Sequence, residues 1–219
     1  EGIMVNDLRT GEHRQPVLQD VAEIARLVDA LPHIDAYEPA GSPTDRPQAT
    51  AVLHGTEAAL LNTTKNVGTE ATSAWEVRKV VAMAASIVGG EDQLRENPIV
   101  GFGCCPVSPL KLPRDATEVI VECARHGLPC GVLSMAMSGG SSPVTLAGTF
   151  VQHNAEVLAG ITLSQLTERG APTDYGSSTT AMDLRLAAAS VGSPELALFS
   201  AATAQMARRY LIPSFVAGL

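Results

Sequence analysis

The sequence predicts an α/β fold of repeated βα units with five or six parallel strands, and three observations predict it. Short apolar runs recur at 98–105, 128–135, 172–175 and 212–217, spaced about 30–40 residues apart with helical patterns between them. The runs read as continuously apolar, as strands do when helices cover a parallel sheet. The 219 residues suffice for a sizeable core, and 45% hydrophobic but only 4% aromatic residues favour close helix–sheet packing. Two architectures remain open at this point. One is a TIM-type (βα)8 barrel lacking its ends, since a closed barrel takes about 250 residues. The other is an open doubly wound sheet. A single domain over 1–219 is expected.

The elements follow in order. In 17–30, Val17, Val21, Ile24, Ala25 and Val28 share a helical face, with Asp20 and Glu23 early where they suit the helix dipole. A short strand is expected at 33–37 and a Pro/Gly/Ser loop from Pro39 to Pro47. A helix over 50–62 and a short strand over 64–67 come next. Ser73 and Glu76 form a capping box for a helix over 74–88, which Gly89 and Gly90 stop. Asp115 opens a helix ended by Gly127. Pro143 is placed in the first turn of a long helix running to about Glu168. Ser193 as N-cap and Pro194 at the first helical position start a helix reaching Tyr210.

A net charge of −8 excludes a basic nucleic-acid footprint. Cys104, Cys105, Cys123 and Cys130 contain no CxxC spacing and read as reduced thiols of a reducing compartment. No membrane span and no secretory leader is read, and both ends look cut, as in a piece of something longer.

In βα folds chemistry sits at the carboxyl ends of strands. Three loops there stand out. Cys105-Pro-Val-Ser-Pro-Leu110 is stiff and offers the Ser108 hydroxyl. Met135 to Pro143 places Gly139, Gly140, Ser141 and Ser142 before a helix start, where free amides favour an anion, although no Walker lysine follows. Tyr175 to Asp183 is rich in hydroxyls, includes Ser177 and ends on a carboxylate; the Tyr175 ring suits a quaternary ammonium. On the long helix Gln152 and Glu156 share a face and His153 points away, reading as structural rather than as a general base. No spacing argues for a metal site, and the His54/Glu57 pair alone is weak. The plain readings (a rigid connection, a capped helix, a solvated loop) compete with each of these, and a non-catalytic anion-binding module is the rival to an enzyme. A phosphate-using barrel is weakened by the lack of a nearby basic residue.

Several motifs, in order, resemble the trimethylamine methyltransferase family. They are Leu61-Asn-Thr-Thr-Lys65, Phe102-Gly-Cys-Cys-Pro-Val-Ser-Pro-Leu110, Ser134-Met-Ala-Met137, Ser142-Pro-Val-Thr-Leu-Ala-Gly148, Asn154-Ala-Glu156, Gly170-Ala-Pro172, Tyr175-Gly-Ser-Ser178, Met182-Asp183 and Gly192-Ser-Pro-Glu195. The resemblance covers about residues 15–219 and implies a (βα)8 barrel. It implies a cytoplasmic enzyme, as in methanogenesis, moving a methyl group from a methylated amine to the Co(I) of a corrinoid. That corrinoid is carried by a separate small protein, the expected partner, and is not bound by this chain. Some members contain pyrrolysine and use trimethylamine; relatives without it use quaternary amines such as glycine betaine. If the chain covers the pyrrolysine position, which the resemblance puts near Tyr175–Asp183, its standard residues imply a quaternary amine. The resemblance further implies Tyr175, Phe102 and Asp183 as contacts for the cation. Ser141 and Ser142 are implied for a betaine carboxylate, with Ser177, Asn154 and Glu156 lining or orienting the loops. An incomplete barrel leaves edge strands that a second copy could pair.

Overall fold

The computed structural model describes residues 4–39 and 41–217. Glu1–Ile3 of the charged start, Ala40 of the Pro39–Pro47 loop and the last two residues of the terminal run fall outside these. The chain divides into two compact units, residues 1–102 and 103–219.

In the first unit, β1 (Val5–Asn6) and β2 (His13–Arg14) form an antiparallel hairpin. Helix α1 (Leu18–Ala30) starts where Asp20 accepts from the Val17 N–H at 2.8 Å and from the Arg14 guanidinium at 2.7 and 2.9 Å. Then come β3 (Ala36–Tyr37), a 3-10 turn at Gln48–Thr50, α2 (Ala51–Leu60), β4 (Asn66–Thr69), α3 (Ala74–Val88) and α4 (Glu91–Glu96). Ser73 accepts from the Glu76 N–H, and Gly89 ends α3 at φ 96°, a left-handed angle that glycine adopts without strain. The Glu76 carboxylate reaches back to the Thr72 N–H at 2.6 Å. Val67, Val77, Val80, Val81 and Val100 are buried.

Strand β5 (Val100–Cys104) carries the boundary. The second unit continues through α5 (Arg114–His126), β6 (Cys130–Ser134), β7 (Met137–Ser138), α6 (Leu146–Thr167), β8 (Thr173–Ser177), β9 (Thr180–Asp183), β10 (Ala188–Ala189), α7 (Pro194–Tyr210) and β11 (Ser214–Val216). Its core includes Val119, Ile120, Val132, Val157, Tyr175, Leu196 and Phe199. Helix α6 lies so close to β6 that a Cβ on Gly160 would stand 2.8 Å from a Val132 methyl.

The six main strands are hydrogen-bonded in the order β3-β4-β5-β6-β8-β11. The pairs β3/β4, β4/β5, β6/β8 and β8/β11 run parallel. Each strand neighbours the next one in the chain, so the sheet is singly wound. A doubly wound sheet reverses its strand order at a switch point. The order therefore selects between the two architectures: the fold is an incomplete TIM-type barrel.

Some expectations need correcting. Helix α6 begins at Leu146, not in the turn of Pro143, because the Pro143 carbonyl is already engaged by the Gly139 N–H and the Ser138 and Thr149 hydroxyls. Thr145 is its cap, accepting from the Gly148 N–H. Strand β8 runs on to Ser177, so Tyr175 lies inside the strand and not at its loop. The hydroxyl-rich run that follows is itself strand: β9 pairs antiparallel with β10 and parallel with β7 in a small three-stranded sheet. The hairpin β1/β2 and helix α4 lack the apolar periodicity that makes longer elements visible.

Candidate functional site

Helix α6 gathers the side chains of the site in the second unit. Glu156 is buried and accepts four hydrogen bonds. Its Oε2 takes the Ser108 and Ser134 hydroxyls at 2.8 and 2.7 Å. Its Oε1 takes the Leu110 N–H and the Gln152 amide, both at 2.9 Å. Gln152 also donates to the Ser141 carbonyl at 3.0 Å. One carboxylate thus fixes the loop after β5, the end of β6 and, through Gln152, the loop before α6. Burial pushes its pKa up, but the hydrogen bonds from Leu110, Ser134, Ser108 and Gln152 outweigh burial and hold it below the usual carboxylate range. Leu110, bonded in this way, has φ 54°, a left-handed angle that costs a branched side chain energy and needs such pinning.

His153 is fully buried one residue from Gln152 and turned towards β8. The Thr179 hydroxyl donates to the Ser134 carbonyl at 3.3 Å, so it accepts from His153 Nδ1 at 2.9 Å. Nε2, without a hydrogen-bond partner, is then the bare nitrogen. The ring stacks on Phe150 and meets Tyr175 edge-on, with centroids 5.2 and 5.4 Å apart. Burial lowers its pKa to about 4, Glu156 opposing weakly, so the imidazole is neutral at pH 7. The Tyr175 hydroxyl donates to Asn154 Oδ1 at 2.8 Å, as does that of Tyr210 at 3.2 Å. Burial first, and Tyr210 second, raise the Tyr175 pKa.

The residues singled out from the sequence therefore separate into groups. Glu156 and Asn154 act on other protein groups. Tyr175 is 0% exposed and faces the helices. Phe102 is buried in β5 within the first unit, paired in register with Thr69. Ser177 is buried, its hydroxyl accepting from the Thr179 N–H. Ser141 accepts from the Met137 N–H, and Ser142 shares a hydrogen bond with Thr149 at 2.9 Å. Asp183 accepts from the Arg185 and Leu186 N–H groups and so shapes the β9–β10 turn. His54 and Glu57 lie 3.9 Å apart on the surface of α2. Among the described residues no group of His, Cys, Asp or Glu could hold a metal ion, and no helix is long and apolar enough to cross a membrane.

The other face of the same strands carries groups the sequence reading passed over. Val132 and Tyr175 point at the helices, so their strand neighbours point the opposite way. That opposite face holds Gly131 and Leu133 of β6, Asp174 and Gly176 of β8, and Phe215 of β11. Gly131 pairs with Asp174, Leu133 with Gly176, and Gly176 with Phe215. A Cβ on Gly131 would meet an Asp174 carboxylate oxygen at 2.6 Å, and one on Gly176 would meet Leu133 Cβ at 2.8 Å. Phe215 is 55% exposed. The signal was legible as period-two alternation: Thr173-Asp-Tyr-Gly-Ser177 and Val100-Gly-Phe-Gly-Cys104 change character at every second residue.

The profile of the family "Trimethylamine methyltransferase (MTTB)" matches residues 4–219. A trimethylamine methyltransferase MttB of Desulfitobacterium hafniense is 47% identical over 218 residues, covering 100% of this chain and 44% of the relative. The MttB1 of Methanosarcina mazei is 48% identical over 204 residues, covering 92% of this chain and 41% of the relative. A glycine betaine methyltransferase of Desulfitobacterium hafniense is 34% identical over 206 residues, covering 93% and 43%. The chain thus spans less than half the length of these curated relatives, and it belongs to the trimethylamine methyltransferase family.

Proposed function

We propose that the protein takes part in methyl transfer from a methylated amine to a corrinoid carried by a partner protein in the cytoplasm. The observation that supports this best is the 47% identity to a trimethylamine methyltransferase along the whole chain. The lower identity of 34% to a glycine betaine methyltransferase supports trimethylamine over glycine betaine as the substrate. In the reaction the C–N bond of a cationic amine breaks, the nitrogen keeps the electron pair, and a neutral amine leaves. The acceptor's Co(I) supplies the pair for the new bond to the methyl carbon. The protein's own task is to hold the cation, orient its N–CH3 bond and exclude water. We assign Glu156, Gln152 and Asn154 to positioning the strand-end loops, and leave Ser141, Ser142 and Asp183 at the mouth as candidate contacts for the substrate. The test mixes the protein with a reduced corrinoid protein and trimethylamine or glycine betaine and follows methyl-Co(III) absorbance. Methylation with trimethylamine is expected; its absence with every tertiary and quaternary amine refutes the proposal.

A further inference from the structure

An outer helix of a barrel turns an apolar face to the sheet and a charged or polar one to water. Helices α1, α3 and α7 follow this rule: Glu23 and Arg26, Arg78 and Lys79, and Arg208 and Arg209 are exposed. Helix α6 breaks it. Glu156 is the one carboxylate among its 22 residues, which include no Lys or Arg, and it is buried, as is the neutral His153. The outward side of α6 runs Gly148, Val151, Ala155, Ala159, Thr162 and Leu166, three or four residues apart, so these positions form one strip along the helix. Val151 is 72% and Leu166 81% exposed, and Val144, just before the helix, 78%. Single exposed apolar side chains are ordinary, but a helix that is apolar on every side is one that is covered on every side. The 22 residues span about 33 Å, and a face about 10 Å wide gives the strip about 350 Å², the size at which an apolar patch marks an interaction site.

We propose that a second copy of this chain covers the strip, the two α6 helices packing antiparallel about a twofold axis through Ala155. Two observations select a second copy. The first is the spacing, which is symmetric. Counted from Ala155, the strip has members four and seven residues away in both directions: Val151 and Ala159, then Gly148 and Thr162. An antiparallel copy therefore lays each member on another: Ala155 on the partner's Ala155, Val151 on the partner's Ala159, and Gly148 on the partner's Thr162. Leu166 then passes the start of the partner's helix, at the level of the exposed Val144. Small residues stand at the axis and each larger one meets a small one or a helix end, so the two helices can approach to the short end of the range of about 8–10 Å. An isologous contact requires a self-complementary patch of this kind. The second observation is charge. The chain carries −8, so copies repel over most of their surface, whereas the strip lets them touch without bringing like charges together. Joined along it, two copies cover about 700 Å² of flat area, the range of reversible rather than obligate association. The contact braces from outside the helix whose inner side carries Glu156 and His153, and it does not depend on the methyltransferase reading.

Sedimentation velocity on the 219-residue chain at pH 7, from about 5 to 500 µM, reads the equilibrium directly. A concentration-dependent shift from monomer to dimer is expected. Ala155→Glu brings two carboxylates together on the axis and should weaken association by about tenfold or more. Ala155 is an exposed helix position, so the circular dichroism and Tm of this variant should stay those of the wild type. Gln205→Glu adds the same charge on the exposed side of α7 and should leave the dimer as it is. The register has its own readout. In a Cys105→Ser background, Ala155→Cys should link two chains by a disulfide in a glutathione redox buffer, because a residue on the axis meets its own copy. Thr162→Cys, seven residues along, should not. A chain that is monomeric at about 500 µM overturns the proposal and leaves the strip to a different partner. A dimer that survives Ala155→Glu also overturns it and moves the contact elsewhere, such as to the open sheet edges. Equal linking of the two cysteine variants overturns the twofold axis through Ala155.

Discussion

Replacing Glu156 separates its charge from its hydrogen bonds. In Glu156→Ala the Ser108 and Ser134 hydroxyls can rotate to other acceptors, whereas the Leu110 N–H and the Gln152 amide lose theirs in a partly buried place. Two partly buried stranded donors, in the lower half of the range of about 1–3 kcal/mol each, give a cost of about 3 kcal/mol. Glu156→Gln behaves differently. Its oxygen replaces Oε1 and keeps Leu110 and Gln152, while its NH2 faces two hydroxyls that can turn to accept. Only charge assistance is lost, so about 1 kcal/mol is expected. Urea denaturation followed by circular dichroism, with linear extrapolation, resolves the two variants. Equal stability of Ala and Gln at pH 7 would refute the claim that this carboxylate ties the loops. The pH dependence gives a second check. The folded pKa is lowered, so the stabilisation is fully present above the unfolded value of about 4.5 and is lost as pH falls through the folded pKa. Glu156→Gln should remove that loss.

Two further outcomes follow from the geometry around α6. The His153 pKa is lowered from 6.5 to about 4, so its stabilisation is complete above pH 6.5 and drains away as pH falls towards 4, by about 3 kcal/mol. His153→Asn should flatten the stability profile over that window, and an unaltered profile refutes the assignment. In Gly160→Ala the new methyl meets Val132 and Ile120 side chains at 2.8–3.4 Å, and overpacking of about 1–3 kcal/mol outweighs a helix-propensity gain of about 1 kcal/mol. A Tm that rises in that variant contradicts the close packing of α6 on β6.

The elements visible in the sequence were those whose ends are chemically marked. Ser73 and Gly89, Gly127, and Ser193 with Pro194 each satisfy or release backbone groups locally, and each stands where the chain predicts it. The start of α6 was misplaced because proline at 143 is a valid first-turn residue by local rules. What defers the helix is a set of hydrogen bonds returning from Gly139, Ser138 and Thr149, and no local preference announces them. The motifs point to the strand ends, yet a motif does not tell which way a side chain points. Tyr175 and Asp174 are sequence neighbours with opposite surroundings: one meets Asn154 and Tyr210, the other lies over Gly131.

That difference follows from the period of two, which reverses direction at every residue. A run taken as uniformly apolar hides it, since glycine counts as neither polar nor bulky. Aligned on Gly131, Gly176 and Gly103, the strands show one face of Val132, Tyr175, Phe102 and Cys104, all buried. The other face bears Leu133, Asp174 and Phe215 among glycines. Glycine at alternate positions on these strands makes room for the neighbouring strand's side chains: Leu133 stands over Gly176 and the Asp174 carboxylate over Gly131.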